Sequence, residues 1–185
     1  MEGKMSKIIY LAAYEALHKD FDIVYQDING KRDMGGDMMD IDLNKFDTVI
    51  ATPTCNYWSI ARGNRCSQYS LDTKHLLPDI IKKLQDTFNG KWIVENVINR
   101  KRFKENGIYD ICKCNVYEIG RHTYFTNCCF SPEEIDFLKS TQSQDFKYHG
   151  HVIKYDDMQN KKHQGGYNVH QVIDYFLKKY GGEDE

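Results

Sequence analysis

The most informative stretch of this sequence is TVIATPTC, Thr48–Cys55. Its first six residues are mostly apolar or β-branched, which is typical of a strand in a parallel sheet that helices cover on both faces. Cys55 follows directly, and such sheets bind their ligands beyond the carboxyl ends of the strands. The stretch therefore predicts a buried strand with a cysteine at the functional edge of the sheet.

Strand-like runs and helical patterns alternate on both sides of this stretch. The other predicted strands are Lys7–Leu11, Asp22–Asp27, Lys91–Asn96, Ile111–Ile119 and His122–Cys129. The predicted helices are Ala12–Lys19, Thr73–Phe88, a capped helix from Ser131 through Lys139, and Asn168–Tyr180. This alternation predicts an α/β fold with a doubly wound, Rossmann-like sheet, mostly parallel, with an antiparallel hairpin at one edge.

Length and charge limit the classes of protein that need be considered. The 185 residues suit a single domain over the whole chain, with an acidic tail at 181–185 that is expected to fray. The formal net charge of -2 argues against a strongly basic nucleic-acid binder, so any DNA contact needs a local basic patch. The sequence contains no signal peptide and no apolar run of membrane-spanning length, which predicts a cytoplasmic protein.

The six cysteines and the histidines give no recognised metal-ligand spacing. We therefore predict reduced thiols and no metal site. Cys112, Cys114, Cys128 and Cys129 lie in strand-like runs, where packing into the core is the simplest interpretation.

Cys55 and Glu95 are the residues to which chemistry is most readily assigned. A thiolate at Cys55 would be a nucleophile, although buried structural cysteines are common. Glu95 ends the strand KWIVEN, so its carboxylate is expected on the same sheet edge. There it either serves as an acid near the reacting group or caps and pairs with neighbouring residues.

Four segments in order resemble the motifs of DNA (cytosine-5) methyltransferases. Ala51–Ser59 resembles the catalytic Pro-Pro-Cys loop, Glu95-Asn96-Val97 the Glu-Asn-Val motif, Arg121–Phe125 the arginine strand, and Gly166–Val169 the last motif. The resemblance implies a class I methyltransferase sheet with Cys55, Glu95 and Arg121 as catalytic residues. It also implies a substrate-binding set of Ser59, Arg62, Arg65, Asn96 and Val97.

The same resemblance implies S-adenosylmethionine as the cofactor and DNA as the partner. The cofactor would lie against Leu11, Ala12, Asp27, Asp37, Pro53, Asn168 and Val169. A target cytosine would be flipped out of the duplex and attacked at carbon-6 by Cys55 before the methyl group is added to carbon-5. The composition suits a bacterial or phage source.

The sequence departs from this family in two regions. Leu11–Tyr14 stands where the family has a glycine-rich loop, and only Phe130–Gln164 stands where it carries a recognition domain. Three hypotheses therefore stay open. One is a minimal methyltransferase, weakly sequence-specific or helped by a partner subunit or homo-oligomer. The second is a non-catalytic relative that binds DNA, nucleotide or protein, and the third is another enzyme that uses Cys55 on a nucleotide.

Overall fold

The computed structural model of this chain describes residues 7–13, 18, 20–59, 66–142 and 169–181. These residues form a six-stranded sheet with the order β2-β1-β3-β4-β6-β5. Its strands are β1 Ile8–Leu11, β2 Ile23–Tyr25, β3 Thr48–Ala51, β4 Lys91–Val97, β5 Asn115–Ile119 and β6 His122–Thr126. The strands β2, β1, β3 and β4 are parallel, whereas β6 is antiparallel to both β4 and β5. The predicted α/β class, the mostly parallel sheet and the antiparallel pair are confirmed.

Helices pack against both faces of this sheet. They are α1 Gln68–Thr73, α2 Leu76–Thr87, α3 Arg100–Glu105, α4 Ile108–Ile111, α5 Pro132–Ser140 and α6, residues 169–180. Apolar side chains of α2, α3 and α4 share one core with Val49 and Val94. Those of α5 and α6 share the other core with Ile50 and Ile93. Alternate residues of β3 and β4 thus enter opposite cores, as a strand that is buried on both faces requires.

The predicted helix Thr73–Phe88 differs from the structure at its start. Helix α1 begins at Gln68, because the Ser67 hydroxyl accepts a hydrogen bond from the backbone N–H of Ser70. A second helix, α2, then begins at Leu76 and buries Leu77, Ile80, Ile81 and Leu84. The apolar periodicity marked the buried helix, but it gave no sign of the short polar helix before it.

The helix expected after Ser131 is confirmed, including its cap. The Ser131 side chain accepts from the Glu134 backbone N–H, and the Glu134 carboxylate accepts from the Ser131 backbone N–H. Pro132 occupies the first turn, where its missing N–H has no consequence. Most of the predicted helix Ala12–Lys19 and the tail residues 182–185 lie outside the described residues.

The prediction of reduced thiols is wrong at Cys112 and Cys114, which pack partly buried against the core, and the prediction of core packing is wrong at Cys129. Cys112 and Cys114 form a disulfide, because the chain turns sharply between α4 and β5 and brings their Cα atoms to 5.3 Å. Cys129 is exposed, whereas its neighbour Cys128 is buried as predicted. Within the described ranges, every helix is too short or too polar to span a bilayer.

A buried histidine links the region between β1 and β2 to α6. Nδ1 of His18 lies 2.5 Å from Asp174 Oδ1, and its Nε2 lies 3.0 Å from Nδ1 of His170. The His18 side chain is fully buried, so both ring nitrogens need partners there. This network holds α6 against the face of the sheet that carries Tyr10 and Tyr25.

Candidate functional site

The carboxyl ends of the parallel strands bring Cys55 and Glu95 to one edge of the sheet. Strand β3 ends at Ala51, which pairs with Val94 of β4, so the chain leaves the sheet beside Glu95. Four residues later Cys55 is exposed to solvent. The exposed Cys55 thus follows β3 at the edge of the sheet where Glu95 lies near the end of the neighbouring strand β4.

Hydrogen bonds to buried amide side chains hold the loop that carries Cys55. The Asn96 amide donates to the backbone oxygen of Pro53 at 3.0 Å, and the Asn99 amide donates to that of Trp58 at 2.7 Å. Within the loop, the Ser59 backbone N–H donates to the Cys55 oxygen at 2.8 Å. Asn96 is 1% exposed. The hydrogen bond between Asn96 and Pro53 thus stabilises the loop. The resemblance had assigned Asn96 to the substrate and Pro53 to the cofactor.

Glu95 forms a close pair with a residue that sequence reasoning missed. Its Oε1 lies 2.5 Å from Nδ1 of His122, and the two side chains are 12% and 17% exposed. In the β4–β6 register Glu95 faces Tyr124, and Val97 faces His122. The signal that could have found His122 is strand alternation, since alternate residues of β6 share the face of Glu95.

Two buried tyrosines lie on the same face of the sheet as Glu95. Burial, reinforced by the negative charge of Glu95, raises the pKa of Tyr10 and of Tyr124 above the ordinary phenol value. Both phenols therefore stay protonated and keep a proton to donate. In the described part of the structure, the Tyr124 hydroxyl is buried and has no hydrogen-bond partner. An unsatisfied buried hydroxyl costs free energy, so a polar group of a ligand near Glu95 would relieve that cost.

Arg121, predicted as the basic catalytic residue, lies elsewhere on the hairpin. It occupies the turn between β5 and β6, and it lines an open groove with Arg100 and Lys139. Thr123 is the third residue of the segment Arg121–Phe125 that resembles the arginine strand. It pairs with Asn96 and has a fully buried side chain. The basic partner that the structure gives Glu95 is His122, because the alternation of β6 turns His122 and not Thr123 toward it.

The turn after β1 has the backbone of a glycine without being one. Ala12 has φ of +54°, and among the described residues it is the one non-glycine with a positive φ. Its N–H donates to Oε1 of Gln26 at 2.8 Å, and the N–H of Ala13 donates to the Gln26 backbone oxygen. The Gln26 amide donates in turn to the Gly36 oxygen at 2.5 Å. Gln26, which the sequence did not single out, therefore fixes this strained turn.

The residues assigned to the cofactor occupy positions of different kinds. Leu11 is fully buried and Val169 is 9% exposed, so both belong to the cores. The Asp37 carboxylate accepts from the Met39 N–H and caps a short 3-10 turn. Asp27 is partly exposed beyond β2, and its carboxylate accepts from the Asn29 N–H at 3.3 Å. Asn168, Arg62 and Arg65 lie outside the described residues.

Of these residues, Asp27 has the chemistry that a cofactor ribose would need. Asp27 places a carboxylate acceptor beside the carboxyl ends of β1 and β2, which suits a ribose diol. The small side chain of Ala12 allows close approach to the turn after β1. In comparisons with known proteins, no protein-family model matches this chain, and no curated protein matches it either.

Proposed function

We propose that this protein is a DNA cytosine-5 methyltransferase-like protein in which Cys55 attacks a flipped cytosine. The observation that supports this proposal is that an exposed cysteine, Cys55, follows β3 at the carboxyl edge of the sheet where Glu95 lies on the neighbouring strand. A mostly parallel sheet with an antiparallel hairpin at one edge is also the arrangement expected of a class I methyltransferase.

Cys55 and Glu95 would share the chemistry on the cytosine ring. The Cys55 thiolate forms a bond to carbon-6, and the displaced electron pair moves toward carbon-5 and nitrogen-3. Glu95 hydrogen-bonds nitrogen-3 and stabilises the charge that develops there, with His122 fixing the orientation of its carboxylate. Once carbon-5 has received a methyl group, with S-adenosylhomocysteine as the leaving group, a water molecule accepts the carbon-5 proton. The carbon-6–sulfur bond then breaks, which expels the thiolate and restores the aromatic ring.

The cofactor S-adenosylmethionine would supply an electrophilic methyl group to carbon-5. Asp27 would accept hydrogen bonds from its ribose, and the turn at Ala12 would pack against it.

The decisive experiment combines methyl transfer with covalent trapping. Purified protein is incubated with labelled S-adenosylmethionine and cytosine-containing DNA, alongside the variant Cys55→Ser. We expect transfer by the parent and none by the variant. We also expect a DNA duplex that carries 5-fluorocytosine to trap Cys55 covalently. The proposal is wrong if the folded parent gives neither transfer nor adduct.

The second candidate is a non-catalytic relative that binds DNA, nucleotide or a protein through the same cleft. The occupied amides of the turn after β1 favour it, because Gln26 takes the N–H groups of both Ala12 and Ala13. Those amides would otherwise be donors for a cofactor. Calorimetry separates the two candidates: S-adenosylmethionine binding supports the enzyme, and DNA binding that Cys55→Ser leaves unchanged, without cofactor binding, supports the relative.

A further inference from the structure

An open groove of about 840 Å³ lies beside the hairpin of β5 and β6, and we call it the hairpin groove. The charged and amide side chains that line it are Arg100, Glu118, Arg121, Lys139 and Gln142. They come from three separate parts of the chain: α3, the hairpin, and α5 with the residues after it. The fold, and no local sequence motif, therefore assembles this groove.

The charges of the hairpin groove are unbalanced. Among the lining residues that the structure describes, Arg100, Arg121 and Lys139 are cationic, and Glu118 is the one carboxylate. Nε of Arg100 donates to both oxygens of Glu118, at 2.9 and 3.0 Å. This pairing raises the pKa of Arg100 and lowers that of Glu118, so both stay charged. The whole chain has a net charge of -2, so this local positive excess favours an anionic partner.

One end of the hairpin groove, at Gly120 and Arg121, lies at the same edge of the sheet as Glu95. His122 begins β6 opposite Val97, the last residue of β4, so the turn at Arg121 lies beyond the carboxyl end of β4. The Ile98 N–H donates to the Arg121 oxygen at 2.9 Å and ties the turn to the chain leaving β4. A nucleotide chain whose base reached Glu95 would pass this turn with its neighbouring phosphates.

A buried acceptor lies in the wall of this groove. Gln142 is 7% exposed, its amide nitrogen donates to the Leu138 oxygen, and within the described residues its Oε1 has no hydrogen-bond partner. Gly120 allows this packing, because a Cβ there would stand 2.8 Å from that oxygen. The wall of the groove thus contains an acceptor that the described residues leave unsatisfied.

We propose that the hairpin groove binds the phosphodiester backbone of the DNA strand next to the target cytosine. Arg121 and Lys139 contact phosphate oxygens, and Arg100 exchanges its bond with Glu118 for a phosphate. This proposal rests on the proposed function for the identity of the nucleic acid. Because its contacts are to the backbone, we expect the affinity to depend on salt more than on base sequence.

The test measures binding of a fluorescent cytosine-containing DNA duplex by anisotropy over a series of salt concentrations. Arg121→Gln with Lys139→Gln should weaken binding at least ~10-fold at low salt and reduce the salt slope by about 2. The matched control is Lys45→Gln with Lys91→Gln, which removes the same charge at the amino edge of the sheet. That control should bind as the parent does. Glu118→Gln should tighten binding, because it removes the groove's carboxylate and releases Arg100.

The outcomes separate this proposal from the proposed function. If the double variant of Arg121 and Lys139 binds DNA as tightly as the lysine control, the proposal that the hairpin groove binds DNA is wrong. This holds even if methyl transfer and Cys55 trapping succeed. Groove-dependent DNA binding without transfer or trapping supports the groove and overturns the enzymatic function. If RNA of the same sequence or inorganic phosphate binds as tightly as DNA and is equally sensitive to the groove variant, the assignment to DNA is wrong.

Discussion

Nδ1 of His122 lies 2.5 Å from Oε1 of Glu95, where β4 and β6 pair at the carboxyl edge of the sheet. Among the ion pairs of the described residues, this is the one in which both side chains are less than a fifth exposed. Breaking such a pair leaves one polar group buried without its partner, whereas removing both leaves none.

A double-mutant cycle tests this relationship. Glu95→Leu and His122→Phe are each expected to destabilise the fold by about 1–3 kcal/mol, with a coupling energy of about 1–2 kcal/mol between them. Urea unfolding of the parent, both single variants and the double variant gives the four free energies. Additive effects would contradict the pairing. The exposed pair of Lys82 and Asp86 on α2 is the control, and its two substitutions should act additively because solvent screens the pair.

The turn at Ala12 predicts a stabilising substitution. A left-handed backbone costs a non-glycine residue about 1–2 kcal/mol, and glycine avoids this cost while losing more entropy on folding. Ala12→Gly should therefore stabilise the protein by about 0.5–1 kcal/mol in urea unfolding.

Ala13→Gly is the matched control for this substitution. Ala13 is buried and does not have a positive φ, so glycine there should destabilise the protein by about 1 kcal/mol. If both substitutions destabilise the protein equally, Ala12 does not have the left-handed backbone conformation described above.

Glu134 predicts a specific loss of stability in acid. Hydrogen bonds from Lys179, Tyr175 and the Ser131 backbone lower the pKa of Glu134 to about 2. Because its pKa is lower in the folded than in the unfolded protein, Glu134 stabilises the fold fully above about pH 4.5. That contribution disappears as the pH falls through about 2.

The substitution Glu134→Gln isolates this contribution. It should cost about 1 kcal/mol at pH 7, since solvent screens a partly exposed pair, and the difference from the parent should vanish near pH 2. Asp136→Asn, on the exposed side of the same helix α5, should change stability little at either pH. A Glu134→Gln penalty that stayed constant over this pH range would contradict the assignment.

The thiols should differ in their reaction with an alkylating agent. Cys55 is exposed, whereas Cys128 is 4% exposed and burial raises the pKa of its thiol. Iodoacetamide at neutral pH should therefore modify Cys55 at least ~10-fold faster than Cys128, as read by mass spectrometry of peptides. In denaturant the two rates should converge. Equal rates in the folded protein would show that Cys55 is not reachable as the structure has it.

Cys112 and Cys114 give an internal comparison in the same experiment. They are joined in a disulfide and should stay unmodified until a reductant is added, even in denaturant. Modification without a reductant would mean that the sequence-based prediction of reduced thiols was right.

Sequence patterns found the elements whose causes are local. Apolar runs located β3 and β4, the spacing of Leu77, Ile80 and Leu84 located α2, and Ser131 with Glu134 located the cap of α5. The positions of Cys55 and Glu95 at one edge followed as well, because parallel neighbouring strands end on the same side.

Other features of the site depend on pairing between distant parts of the chain. The register of β6 against β4 turns His122 toward Glu95 and Thr123 away from it, and a shift of one residue would reverse that choice. In the same way, the contact of Gln26 with Ala12 depends on how β2 lies beside β1.

The sequence by itself therefore determined the class of the fold and the edge at which Cys55 and Glu95 lie, since hydrophobic periodicity and strand direction are properties of short segments. Only the tertiary structure decided which basic residue pairs with Glu95, how the turn at Ala12 is held, and that Arg100, Arg121 and Lys139 line one groove. The physical reason is that side-chain facing in a sheet alternates residue by residue, and contacts between distant segments set the register that fixes it.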